Sequence, residues 1–443
     1  MNPPDASRQF ARLTYEALIA RAAGLLGGFA ANILIARSLG AEGKGFLTIL
    51  IAWSGLLASL FSGGAYMATV YELGIRPFHA RRLLSATGPY VLVATLLAAT
   101  GVMFFRQRID LSEIFLVLLV LLFAGQLLGN LSTALLAGLR HLSMVNWLSI
   151  FTAFCYPIVI ISIWWVYGSL SVPMVAISMV IIPVLAAVIG LSFSRRKASQ
   201  ITVTGESRFQ WPPFLQYMLK STATSMGSML FAQIVLLVFS ARGTPAQVGV
   251  FSVATIFIET AGVIPMMLAS FVLPRWAGLP GPEVAVRAGR VLRLTHPGSL
   301  LIAIIAAFAA SVLAGPVFGR DFTGVGLLAW IMIPGAWATT GVTVMSNYFL
   351  SQNRHNTSSI TVWLGAVLGG LLAWWLIPLW GGVGAALALS LSRLSSLLWV
   401  WIAFARANQG SPQRLWIPDR ETFRTWSQMV SHLLDWMPRR SRI

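Results

Sequence analysis

The sequence predicts an all-α polytopic membrane protein of about twelve transmembrane helices, in two six-helix lobes related by a pseudo-two-fold axis along the membrane normal. Three observations carry this reading. The 443 residues are 57% hydrophobic and only 10% charged, and their mean hydropathy is +0.78. A hydrated surface cannot be built from that composition. Crossing the hydrocarbon takes about 20 apolar residues, and about twelve such runs fill most of the chain. The cations alternate. Twenty-two of the 31 lysines and arginines fall in the even-numbered connections and the termini, five (Lys44, Arg106, Arg108, Arg242, Arg320) in the odd ones, and four (Arg21, Arg37, Lys220, Arg393) inside spans. The positive-inside rule then puts both termini in the cytoplasm, and the alternation suits an even number of spans.

The spans are placed at 13–39, 43–72, 83–105, 114–139, 142–167, 171–194, 214–240, 246–274, 291–316, 323–351, 356–378 and 381–405. No small-residue cleavage site follows a short apolar core near the start, so the first span reads as a retained helix. It carries Arg21 and Asn32, eleven residues apart and so on one helical face, with Gly28 beside them. Arg37 points elsewhere and sits near the outer end, as an interface anchor does. The next span ends in Tyr71-Glu72, beside the cations of 76–82, which Glu72 can partner. Thr87-x-Pro89 opens the third. Gln126, Asn130 and Thr133 form a polar stripe on the fourth, which closes on Arg140-His141. The fifth holds Cys155, the single cysteine, which excludes intrachain disulfides and cysteine-built metal clusters.

The polar, basic stretch 195–213 is the cytoplasmic linker between lobes 1–194 and 214–405. Beyond it, Lys220, Thr224 and Ser228 make a stripe at i, i+4, i+8. Glu259 follows in the 246–274 span, ahead of Gly262 and Pro265, and Arg393 lies in the last span within LSLSRLSS. A charge at mid-bilayer costs at least about 2.5–3.5 kcal/mol, so it must be paired, solvated or used. Glu259 and Arg393 fit a structural ion pair and a cavity site equally. After residue 406, apolar positions recur at helical spacing opposite polar ones, which predicts an amphipathic tail on the inner leaflet.

Three echoes join the halves. A cation, a Phe-Ala pair and an amide (Arg21, Phe29-Ala30, Asn32) return as Lys220, Phe231-Ala232 and Gln233, each followed by a glycine break. Thr87-x-Pro89 returns as Thr295-x-Pro297, and Arg140-His141 as Arg354-His355. The order argues for an internal duplication with parallel repeats. A cation repeated inside the membrane in both halves suits an anionic cargo.

Catalytic patterns are absent: there is no HExxH, CxxC, GxxxxGK[ST] or GxSxG. The five histidines fall at predicted cytoplasmic ends, loops or the tail, without metal spacing, so no cofactor or metal is expected. The short outward loops leave no room for the catalytic platform of a membrane glycosyltransferase or polymerase. The net charge of +18 sits in membrane-flanking loops and calls for no nucleic acid.

The stretch ANILIARSLGAEGKGFLTIL, with its A-R-x-L-G-x-x-x-x-G turn from Ala36 to Gly45, resembles the start of Wzx-type polysaccharide flippases of the multidrug/oligosaccharidyl-lipid/polysaccharide (MOP) exporter superfamily. LLAGLRHLS at the end of the fourth span is similar too. The resemblance implies a V of two lobes around a central cavity, which moves a polyprenyl-diphosphate-linked oligosaccharide from the inner to the outer leaflet of a bacterial inner membrane. Polysaccharide polymerase and glycosyltransferases are implied as partners, beside membrane lipids. Twelve spans favour this branch over the fourteen-helix murein-precursor flippases. Carried onto these positions, it points to Arg21, Asn32, Lys220 and Glu259 as cavity residues, with Glu259 a candidate for ion coupling. Arg393 fits the family pattern less well. Arg21 and Lys220 suit a diphosphate, as a fork and a point charge. Thr224, Ser228, Asn32, Gln126 and Asn130 suit sugar hydroxyls. A multidrug-type antiporter and a non-transporting assembly scaffold stand as alternatives.

Overall fold

The computed structural model describes residues 3–106, 113–201, 209–263, 276 and 279–408. It is 94% helical, with no strand among the described residues, which makes the chain an all-α polytopic membrane protein. Helix α1 (Pro3–Ile75) is broken at Gly40 (φ 67, ψ −173) into α1a, residues 3–39, and α1b, residues 41–75. Then come α2 (Ala80–Arg106), α3 (Glu113–Gly138), α4 (Leu142–Tyr167), α5 (Val172–Gln200), α6 (Trp211–Arg242) and α7 (Pro245–Glu259). After these follow α8 (Gly281–Phe318), α9 (Val325–Ser351) and α10 (His355–Asn408). Gly381 (φ 52, ψ −125) breaks α10 into α10a, residues 355–380, and α10b, residues 382–408. Nine described helices are long and apolar enough to cross a membrane. Two of them carry these glycine breaks, and each therefore supplies two spans. With α7 the segments match the twelve predicted. The second half of the predicted 246–274 span, the centre of the linker (202–208) and the tail beyond 408 lie outside the described residues.

Local chemistry sets the breaks. Helix α7 opens on a capping box: the Gln247 N–H donates to Thr244 Oγ1, and the Thr244 N–H donates to Gln247 Oε1, both at 3.3 Å. Helix α3 ends with Arg140 left-handed at φ 62, and α9 ends with Asn353 at φ 57. Both are Schellman-type caps, closed by His141 N–H to Leu136 O at 2.9 Å and Arg354 N–H to Phe349 O at 2.8 Å. The Arg-His echo is therefore one residue out of step: Arg140 matches Asn353, and His141 matches Arg354. The same interval separates Gly168 from Gly381, both left-handed. Thr87 and Thr295 also behave alike, each hydroxyl donating to the carbonyl four residues back.

Contacts group the described residues into two compact units, Met1–Val253 with Leu313–Gly324, and Ala254–Val312 with Val325–Ile443. In the first, α1b and α6 run antiparallel along a seam of small residues. A Cβ on Gly55 would meet Met229, one on Gly63 would meet Ser225, and one on Gly64 would overlap Met218 O and Thr222. Tyr71 stacks on Tyr217 at 4.7 Å, and Trp53 donates to Ser240 Oγ at 3.0 Å. Without a hydrophobic drive in lipid, such close backbone approach is what holds helices together. The glycines of the first echo meet each other: a Cβ on Gly45 would overlap Pro245 O, and one on Gly249 would overlap Ala41 O. This reciprocal contact is locally two-fold.

In the second unit, α9 and α10b press together at Gly335, where a Cβ would meet Ser390 and Arg393 Cδ. Ser390 donates to Ile331 O at 2.7 Å, and Ser396 donates to Thr361 O at 3.1 Å. The serines of LSLSRLSS are thus spent largely on helix packing. Helix α8 begins ten residues before its predicted start, so His296 lies well inside it and is only 4% exposed. This corrects the assignment of every histidine to an end, loop or tail; Trp337 stacks on it at 4.5 Å.

Candidate functional site

Helix α1a presents two faces. One packs: Gly27 abuts Ala153 of α4, and Phe29 meets the edge of Phe318 at 5.6 Å. The other holds Arg21, Gly24, Gly28 and Asn32, within about 80° of arc at ~100° per residue. Arg21 is exposed. A Cβ on Gly24 or Gly28 would meet nothing within 4 Å, so this face is open. Asn32 is half-buried and donates to Gly28 O at 2.7 Å.

Arg37 has a different task. It donates through Nε to Val317 O at 2.8 Å and through Nη2 to Pro316 O, covering the C-terminal carbonyls of α8. In return Asp321 Oδ2 accepts the Ala41 N–H at 3.3 Å, at the start of α1b. Each charge meets the helix end of opposite sign. Arg37 is therefore a structural clasp.

On α6, Lys220, Thr224 and Ser228 are all exposed. They lie away from the seam residues Met218, Thr222, Ser225 and Met229, so the stripe is free of the α1b contact. Ser228 donates to Thr224 O at 3.1 Å within the helix. On α3, Gln126 Nε2 donates to Ser54 Oγ at 3.1 Å, and Asn130 Nδ2 to Ser62 Oγ at 2.8 Å. These amides clip α3 to α1b, and each keeps a carbonyl oxygen for another partner.

In the second unit Arg393 is 7% exposed, and its Nε has no hydrogen-bond partner. It feels the charge of Glu259 without a direct ion pair between them. Glu259, the last residue of α7, is exposed.

The sequence pattern missed Lys44, assigned to a connection but 5% exposed in the first turns of α1b. The signal was available, because the predicted span 43–72 already contains position 44. It also missed Thr340, buried at 1% with an unpartnered hydroxyl. No pattern marks a lone threonine in an apolar helix. Among the described residues, no group of three His, Cys, Asp or Glu side chains could hold a metal ion.

No protein-family model and no curated relative matches the sequence. Solved structures do match in fold. The lipid II flippase MurJ, in an inward closed conformation, aligns with a TM-score of 0.67 at 15% identity, over 96% of each chain. An inward-facing multidrug resistance MATE family transporter of the MOP superfamily aligns at 0.63 and 14%, over 88% of this chain and 96% of that one. A mutant form of the Vibrio cholerae MATE transporter VcmN aligns at 0.61 and 15%, over 92% and 98%. Over nearly its whole length, the chain has the fold shared by these MurJ and MATE structures.

Proposed function

We propose that this protein is a flippase for a polyprenyl-diphosphate-linked oligosaccharide. It carries the headgroup from the inner to the outer leaflet of a bacterial inner membrane, with both termini cytoplasmic, and has no enzymatic activity. The carrying observation is the pair of exposed cations, Arg21 on the open glycine face of α1a and Lys220 heading the free stripe of α6. A diphosphate cannot cross about 30 Å of hydrocarbon unaided. Arg21 supplies a fork for phosphate oxygens and Lys220 a point charge. Asn32, Thr224 and Ser228, with the spare carbonyls of Gln126 and Asn130, supply hydrogen bonds to sugar hydroxyls. Rocking of lobes 1–194 and 214–405 about the pseudo-two-fold axis gives alternating access. The MurJ likeness supports a lipid-linked cargo. Polysaccharide polymerase and glycosyltransferases are the natural partners of such a step.

Arg21→Ala and Lys220→Ala should each abolish surface polysaccharide while the protein stays in the membrane at normal level. Normal polysaccharide from the double variant would refute the cation site. A second reading, an ion-coupled small-molecule antiporter, draws on Glu259 and on the MATE likeness. It predicts that Glu259→Gln abolishes drug efflux, whereas Arg21→Ala leaves efflux intact.

A further inference from the structure

A cavity of about 540 Å³ opens in the first unit where α1b, α3 and α5 end. Gly74, Leu139, Arg140, His141, Lys197 and Gln200 are among its lining residues, and no carboxylate is. Arg140 uses Nη2 to reach Gly74 O at 3.3 Å, which leaves most of its five donors. Lys197 donates to Gln200 Oε1 at 3.3 Å. Its Nζ lies 5.8 Å from the centre of the Phe193 ring, which also meets the His141 ring at 5.2 Å. Phe193 thus contacts both Lys197 and His141.

The charges nearby are already engaged. Glu72 accepts from His79 Nδ1 at 2.6 Å and from Arg76 at 3.3 Å. Arg81 is spent on the carbonyls of Ala198 and Ser199. Arg140 also stands at φ 62, a conformation that glycine adopts without strain and arginine does not. The backbone therefore holds a cation at the cavity wall at some cost.

We propose that this cavity binds a phosphate anion, carried by the headgroup of an anionic phospholipid or present as free phosphate. A fork and a point charge from different helices match a phosphate's oxygens. Leu73 and Leu139, at the wall, are backed by a buried apolar cluster with Leu83 and Leu135, which keeps the wall rigid. Basic pockets at the cytoplasmic ends of membrane helices suit lipid headgroups. None of these residues is assigned to the transported cargo, so the site stands apart from the flippase reading.

The test uses the full chain purified in detergent. Native mass spectrometry counts retained dioleoyl-phosphatidylglycerol, with dioleoyl-phosphatidylcholine as the zwitterionic comparison; Tm is followed with sodium phosphate. Arg140→Gln/Lys197→Gln should retain phosphatidylglycerol about tenfold less than the native chain. Arg195→Gln/Arg196→Gln removes the same charge from outside the lining and should retain it normally. Lys197→Gln alone should show part of the loss if the double variant folds poorly. A phosphate-induced rise in Tm without phosphatidylglycerol retention would make the free anion the ligand. Equal retention by all variants, or equal loss in both double variants, would overturn the site.

Discussion

Single residues in this molecule divide into those that clasp helices together and those exposed on open helix faces. Arg37, the cation of the recognisable turn, is consumed by Pro316 and Val317, whereas Arg21 remains exposed on an open face. Glu259 and Arg393 are the harder case, since they share a field without a bond. A broken buried pair costs about 3–5 kcal/mol. With no direct bond to lose, Glu259→Gln should cost only about 1–2 kcal/mol, and the cycle with Arg393→Met should show coupling of ~1 kcal/mol. Thermal unfolding in detergent reads both; coupling near 3 kcal/mol would instead mean a structural ion pair. His141 offers a second check. Burial, with the Lys197 charge beside it, lowers its pKa from the ordinary value. The unfolded chain then binds this proton more readily than the folded one. Stability from this group is whole above the ordinary value of about 6.5 and falls as pH drops below it. In NMR titration the His141 midpoint should lie below that of free histidine and move up in Lys197→Gln.

Between elements, glycine does two opposite jobs. Along α1b it lets a neighbouring backbone approach, and along α1a it leaves space unfilled. In Gly64→Val the Cβ itself would overlap Met218 O and Thr222, which no rotamer can clear. Overpacking of this kind costs about 1–3 kcal/mol or more, so this variant should lose its monodisperse peak in detergent gel filtration. Gly28→Ala meets nothing and should gain roughly 0.5–1 kcal/mol of helix propensity. If both variants behave alike, the seam does not hold α1b to α6. The spacing of Gly55, Ser59 and Gly63 shows that some helix packs there, but spacing alone cannot name α6 as the partner. The early start of α8 was hidden for a related reason. Residues 281–290 carry Glu283, Arg287 and Arg290 at helical spacing, with Glu283 paired to Arg287, so hydropathy registers only the later part of that helix.

At the scale of the whole chain, what could be read in advance was whatever the bilayer dictates. Span number follows from hydrocarbon thickness, the breaks at Gly40 and Gly381 fall at glycines, which alone take positive φ without strain, and the echo of Thr87-x-Pro89 follows from duplication. Contacts between distant segments, such as Asp321 at Ala41 or the Gln126 and Asn130 clips, leave no periodic trace and so could not be read. The cation alternation is the one sequence signal that also fixes sidedness, and it can be tested directly. Ser169 and Thr323 lie in exposed turns between α4 and α5 and between α8 and α9. Ser199 and Arg354 are exposed at the opposite ends of their helices. The native chain has one cysteine, so a Cys155→Ser background allows each site to be probed alone. Loops rich in arginine are retained in the cytoplasm because they resist translocation. A membrane-impermeant maleimide should therefore label Ser169→Cys and Thr323→Cys in intact cells, and Ser199→Cys and Arg354→Cys only after lysis. Labelling of the second pair in intact cells would invert the topology. The cavity at Arg140 and Lys197 would then face outward, and a cargo loaded from the cytoplasm would have to enter from the other end of α1a.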